Sequence, residues 1–324
     1  MKHTLFLRFW WLLKLLVFLL SCWFIWFHLV TEIKTLGNYR EPSKAIAELL
    51  AHPLFYLVLL LALFNWSLEA LKWKFLLRKI ENVSFLDALR AFFNGITLSF
   101  FTPNRVGEFA GRILYLSAGN RVRGALLTVL GSSAQLLITI QAGLLAFWFF
   151  LPRLLDLDLF SERVLRAALL LFFILCTWSW FRFPKLASWL DRFRIKSAWK
   201  EKMHVWDQCS FSDLLSVWLL SAGRYTVFTA QQVLLFMILE PHVSPSETAA
   251  LSALSFFLIT VIPSIALGEL GIRGSVNLAL FGLAGLTSST ILLVTFGLWS
   301  INIALPAVLG AVSVLFLKLK TRTS

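Results

Sequence analysis

Glu108 and Arg112 stand four residues apart, as do Glu269 and Arg273, in a chain of 324 residues that is 59% hydrophobic. At that spacing on a helix each pair shares a face and can form an ion pair. A carboxylate beside a guanidinium suits a ligand bearing both signs of charge, with the arginines gripping a phosphate through paired N–H donors. Each pair follows a proline. "FFTPNRVGEFAGR" (100–112) contains Pro103, Arg105 and Gly107, and "TVIPSIALGELGIR" (260–273) contains Pro263, Gly268 and Gly271. Helix starts after Pro103 and at Gly268 would add backbone donors for the same anion. A further arginine, Arg224, interrupts another apolar run, where it costs roughly 2.5–3.5 kcal/mol on insertion scales and needs a partner or a cavity. Glu108 and Glu269 are its expected partners. The candidate substrate-binding set is therefore Arg105, Glu108, Arg112, Arg224, Glu269 and Arg273. Pro103, Gly107, Pro263, Gly268 and Gly271 are the helix breaks or hinges. The pattern offers no catalytic residue, metal ligand set or cofactor motif.

The elements that position these residues are membrane spans. Mean hydropathy is +0.79, and long apolar runs cover about 10–30, 53–71, 124–150, 164–181, 213–239 and 286–316, each near the ~20 residues that cross a bilayer. Two shorter runs, 87–103 and 247–263, each end at a proline. After "LLSC" (19–22) the chain stays apolar, as an uncleaved first helix does and a lipoprotein leader does not. If the short runs are re-entrant, 20 Lys and Arg fall on the side of the N-terminus against 5 opposite, which puts both termini in the cytoplasm of a multi-pass inner-membrane protein. The net charge of +13 then belongs to loops facing anionic lipid rather than to a nucleic-acid partner. The basic and aromatic loop at 182–206 is the main candidate for that anionic-lipid contact.

The short runs also reveal a repeat. At an offset of 160, Ser84, Asp87 and Pro103 fall on Ser244, Glu247 and Pro263, so both runs open with a Ser-x-x-acid capping signature. After a one-residue insertion, Gly107, Glu108 and Arg112 fall on Gly268, Glu269 and Arg273. The expected fold is all-α and polytopic: one integral membrane domain, 1–324, made of a first repeat (1–150) and a second, inverted repeat (151–324). It has six long transmembrane helices and two re-entrant hairpins, about eight membrane segments. Irregular backbone at membrane depth is tolerated where it lines a wet cavity, and interrupted helices at matching places in inverted repeats point to a transport site. Asn65, Gln135, Gln141, Gln231, Gln232 and Asn302 fit either such a cavity or hydrogen bonds between helices.

Both proline-led motifs resemble the lysylphosphatidylglycerol synthase transmembrane family, a flippase-like membrane domain. The likeness rests on "TPNRVGEFAGR" and "IPSIALGELGIRGS" and extends, by span pattern, over nearly the whole chain. The family's Pro-x-Arg-x-Gly-Glu motif with a following Arg corresponds to Pro103, Arg105, Gly107, Glu108 and Arg112. Its Gly-rich stretch ending in Gly-x-Arg corresponds to Gly268, Gly271 and Arg273; many members have Glu where this chain has Gly274. The resemblance implies movement of an anionic or zwitterionic phospholipid, aminoacylated or not, or of a polyprenyl-linked lipid between leaflets. It also implies that the chain, without the soluble aminoacyl-transferase domain of the bifunctional synthases, does not make an aminoacyl lipid by itself. No Gly-x-x-x-x-Gly-Lys motif offers an ATP site. The alternatives are a membrane glycosyltransferase, for which "DLD" (156–158) supplies paired acids, and a non-transporting accessory subunit of a lipid-modifying system.

Overall fold

The computed structural model describes residue 23 and residues 42–100, 102, 106–154, 158–185, 202–262 and 266–315. Among them all regular structure is helical: α1 (Pro42–Ala51), α2 (Pro53–Leu77), α3 (Phe85–Phe100), α4 (Gly107–Ile113), α5 (Arg121–Leu154), α6 (Leu159–Arg182), α7 (Phe211–Leu239), α8 (Pro245–Val261), α9 (Ala266–Leu283), α10 (Ser288–Trp299) and α11 (Leu305–Leu315). A π-helical segment, Ser300–Ala304, joins the last two into one span. Among the described residues four spans are long and apolar enough to cross a membrane: Pro53–Leu77, Ala118–Phe150, Leu159–Lys185 and Ser288–Ser313. This is a multi-pass membrane protein. The 29-residue α7 is long enough as well, but it carries Arg224, Gln231 and Gln232. The expected span 10–30 lies outside the described residues.

Local chemistry sets the helix ends. Pro53 occupies the first turn of α2, where its missing N–H costs nothing, and His52 Nδ1 accepts from Leu54 N at 3.2 Å. Ser210 and Asp213 form a capping box at the start of α7. Asp213 also pairs with Arg78 at 2.5 Å and Lys79 at 2.7 Å, just past the end of α2. These contacts tie the antiparallel α2 and α7 together at one end. Asp213→Ala is therefore expected to lower stability by about 1–2 kcal/mol through loss of the cap and its ion pairs, with Asp213→Asn recovering part. Thermal unfolding in detergent measures both, and an unchanged midpoint for the alanine variant would remove this role.

Two expectations need correction. The stretch 31–52, which lies between the apolar runs 10–30 and 53–71 and is therefore expected as an outer loop, contains α1, whose Ala45 and Leu49 are buried four residues apart against α7 and α10. The Ser-x-x-acid cap forms at Ser84, which accepts from Asp87 N at 3.1 Å, but not at Ser244, whose hydroxyl instead lies 2.9 Å from that of Ser246.

The two proline-led hairpins also differ in their return limbs. At about 1.5 Å per residue, α4 is only about 10 Å long and α9 about 27 Å. The first limb stops because "YLSAGN" (115–120) breaks it and Glu81 collects that turn, accepting from Ser117 N, Ser117 Oγ and Asn120 Nδ2 at 3.1, 2.7 and 3.2 Å. The second runs on through "VNLALFGL" to a Schellman turn. There Gly285 adopts φ +78°, and Leu286 N donates to Phe281 O and Gly285 N to Gly282 O.

Packing divides the bundle by depth. One apolar core joins α1, the late part of α7, α8, α9 and α10, with Val58 of α2 and Ala146 of α5. A second joins the late part of α2, the start of α3, the early part of α5, Val205, Trp206 and the start of α7, and a smaller cluster gathers Ala62, Trp66, Phe92, Ile96 and Ile303. A polar layer from α2, α5 and α7 lies between the first two. The hairpin arms pack crosswise: α3 against α11, and α8 against α5. Glycine permits both approaches. A Cβ on Gly310 would sit 2.2 Å from Phe93 O, and one on Gly143 would sit 2.3 Å from Phe257 Cβ.

Candidate functional site

Glu69, on the buried face of α2, is the centre of the polar layer. Its carboxylate meets three cations: Arg112 Nη1 at 2.9 Å, Lys72 Nζ at 2.8 Å and Arg224 Nη1 at 3.1 Å. Arg112 reaches it because α4 lies close against α3. A Cβ on Gly111 would sit 2.6 Å from Gly95 Cα, and one on Gly107 would sit 2.1 Å from Leu98 O. Gly107 N also donates to Thr102 Oγ1 at 2.6 Å, fixing the start of α4. The close fit turns Arg112 inward, where its second guanidinium nitrogen pairs with Glu108 at 2.5 Å.

Arg224 lies midway along α7. Its Nε donates to Asn65 Oδ1 at 3.1 Å, and its Nη1 reaches Gln135 Oε1 at a long 3.4 Å. Asn65 in turn donates to Asn302 Oδ1 at 2.7 Å. Asn302 sits in the π segment, a local widening frequent at functional sites. In the second hairpin, Arg273 holds Glu269 through Nε at 3.0 Å and Nη2 at 2.5 Å.

These groups surround a cavity of about 330 Å³ lined by Asn65, Glu69, Lys72, Glu108, Gln135, Arg224, Arg273 and Asn302, with Phe92, Ile96, Phe228 and Phe256 as apolar walls. That volume is at the lower end of ligand pockets, and the mix of apolar wall and convergent polar groups is typical of them. Lys72, Arg112, Arg224 and Arg273 face three carboxylates, Glu69, Glu108 and Glu269. Among the described residues the cations of this cluster outnumber its carboxylates by one.

Of the sequence candidates, Glu108, Arg224 and Arg273 line the cavity, while Arg112 pairs with its lining residues Glu69 and Glu108, and Glu269 with Arg273. Gly107 and Gly271 lie in α4 and α9, and Gly268 lies in the first turn of α9, which begins earlier, at Ala266. Pro103, Arg105 and Pro263 lie outside the described residues. The expected partner of Arg224 is corrected: it pairs with Glu69, not with Glu108 or Glu269. Neither Glu69 nor Lys72 is a sequence candidate: Glu69 lies near the end of the 53–71 run, and Lys72, one residue beyond it, counts among the 20 basic residues on the N-terminal side. α2 instead continues to Leu77, and Lys72 is 2% exposed. A signal was present: a Glu and a Lys three residues apart inside a run that stays apolar and aromatic on both sides.

The other polar residues divide. Asn65, Gln135 and Asn302 line the cavity. Gln141 bridges Trp218 and Thr177, and Gln231 donates to Val58 O at 2.9 Å, so both tie helices together. Asp158, one of the paired acids considered for catalysis, caps α6 by accepting from Phe160 N and Ser161 N. The Ser161 side chain, with these backbone donors, holds its pKa below the ordinary carboxylate value. Among the described residues no cluster of three or more His, Cys, Asp or Glu has a metal-binding arrangement.

No protein of curated function is a sequence match to the chain. Residues 11–310, nearly its whole length, match the family described as the lysylphosphatidylglycerol synthase TM region, and the protein belongs to that family.

Proposed function

We propose that this protein moves a lipid between membrane leaflets, with the central cavity holding the charged headgroup and the two hairpins exposing it alternately to either side. Family membership supports a membrane-lipid function; the cavity chemistry carries the finer reading. The deciding observation is a mid-span cavity that Glu108 from one hairpin and Arg273 from the other both line, with one cation in excess among the described residues. An anionic or zwitterionic phospholipid, or a polyprenyl-linked lipid, presents a phosphate to such a site.

The crosswise packing supports an inverted repeat. If α3 corresponds to α8, and α5 to the span α10–α11, then α3 against α11 and α8 against α5 are equivalent contacts. Aligning the two span starts, Arg121 and Ser288, also places Gly143 on Gly310, the glycines that admit these contacts. In this reading the site lies at the repeat interface, both termini are cytoplasmic, and the drive comes from a gradient or downhill flow.

The test is headgroup accessibility in proteoliposomes containing labelled phosphatidylglycerol or an aminoacylated analogue. Wild type is expected to exchange both leaflets faster than empty liposomes, and Glu108→Ala and Glu269→Ala to lower that rate at least tenfold. Rates equal to empty liposomes for both lipids would sink the reading for this lipid class. A change in lipid mass would instead make the protein an enzyme.

A further inference from the structure

Two neighbouring stripes of α5 face two different voids. Ser132, Gln135, Leu136 and Thr139 border the central cavity. Ser133, Leu136, Leu137 and Ile140 border a groove of about 510 Å³ between α5 and α6. Each set has the spacing i, i+3, i+4, i+7, and the second starts one residue later, so on a helix of 3.6 residues per turn they lie side by side. Leu136 belongs to both. One leucine side chain therefore stands where the groove and the cavity adjoin.

The groove has the chemistry of an acyl-chain site with an anion-binding end. The two serines in its wall are bonded back to their own helices, Ser133 to Val129 O at 2.9 Å and Ser179 to Cys176 O at 2.8 Å. The wall therefore presents no open hydroxyl donor to a polar partner. On its far side α6 is a peripheral helix with Leu171, Ile174, Leu175 and Trp178 at least half exposed, as a lipid-facing surface is. At one end stand Arg182, the last residue of α6, and Lys185. The Arg182 guanidinium lies 5.4 Å from the centre of the Trp178 ring, a cation and an amphipathic aromatic at the level where headgroups sit.

We propose that the α5–α6 groove binds an anionic phospholipid, its acyl chain along Leu137 and Ile140 and its phosphate at Arg182 and Lys185, and that Leu136 is the partition between this site and the central cavity. The lipid site stands independently, whereas the role of Leu136 rests on the transport reading. An occupant of this chemistry fits because basic side chains attract anionic headgroups, while a long apolar wall whose hydroxyls are bonded back to their own helices, and whose unpartnered buried donor is Trp180 Nε1, matches a hydrocarbon chain.

The test places photoreactive benzoylphenylalanine at Ile140 of the full-length protein, in nanodiscs of mixed phosphatidylglycerol and phosphatidylcholine, and reads adducts by mass spectrometry. Trp178 takes the probe if the Ile140 variant is not recovered. Phosphatidylglycerol adducts are expected in several-fold excess over those of phosphatidylcholine, and Arg182→Gln with Lys185→Gln should bring the two to parity. Absence of lipid adducts, equal labelling by both lipids in the otherwise unchanged protein, or capture of a second copy or another segment of this chain would overturn the site. Leu136→Trp should then slow leaflet exchange at least tenfold. Undiminished exchange would remove the partition role. If the wild type forms the adduct but exchanges no lipid, the transport reading fails while the groove stands.

Discussion

Glu69→Ala is expected to cause the largest loss of stability of any single change in the polar layer. The substitution leaves Lys72, Arg112 and Arg224 gathered around an empty space, two of them almost fully buried. Removing one partner of a buried ion pair typically costs about 3–5 kcal/mol, because the remaining charge is left without compensation. Lys72→Met should be far milder. It removes one of three cations and leaves Glu69 paired with both arginines, while retaining the apolar stem that packs in the core. Fluorescence-detected size exclusion after heating, on protein purified in detergent, ranks the two. A Glu69→Ala variant as heat-resistant as wild type, or a more damaging Lys72→Met, would show that the carboxylate is not the hub of this cluster.

Gly310→Ala should give the second large effect. The new methyl would sit 2.2 Å from Phe93 O and 2.3 Å from Thr97 Oγ1, and Thr97 is itself held by a 2.7 Å bond to Ala307 O. A backbone carbonyl inside a helix cannot move aside as a flexible side chain can, so α3 and α11 must separate. Overpacking of this kind costs about 1–3 kcal/mol. It also displaces α3, against which α4 carries Glu108 and Arg112. Gly143→Ala meets Phe257 Cβ at 2.3 Å and should have a similar effect on α5 and α8. Comparable losses of thermal stability and leaflet exchange in both variants would agree with equivalent roles in the two halves. Wild-type behaviour in both would remove the close-packing account.

The spans were the most legible part of the molecule in its sequence, because a long apolar run has few other uses. The expected segments 87–103 and 247–263 appear as α3 and α8, displaced by two or three residues, and 213–239 appears as α7. The Glu-x-x-x-Arg pairs were equally legible, since four-residue spacing on a helix makes their contact local. The long-range partners were not. Nothing in the spacing of Glu69 and Arg224 shows that α2 and α7 run side by side, and the charge count treated Lys72 as solvated when its helix had another turn to run. The hairpin mismatch was similarly hidden. "YLSAGN" breaks one limb partly because Glu81, more than thirty residues earlier, stabilises the turn.

The π segment has a consequence of phase. An α-helix turns each residue by about 100° relative to the last, so one residue more or fewer before α11 swings its whole face by that amount. The wide turn at Ser300–Ala304 lets α10 address α7 and α9 while α11 presents Gly310 to α3 within one continuous span. Deleting a single residue from this turn would leave the composition and length of the span almost untouched. It would nevertheless point Gly310 away from α3 and bring a larger side chain against Phe93.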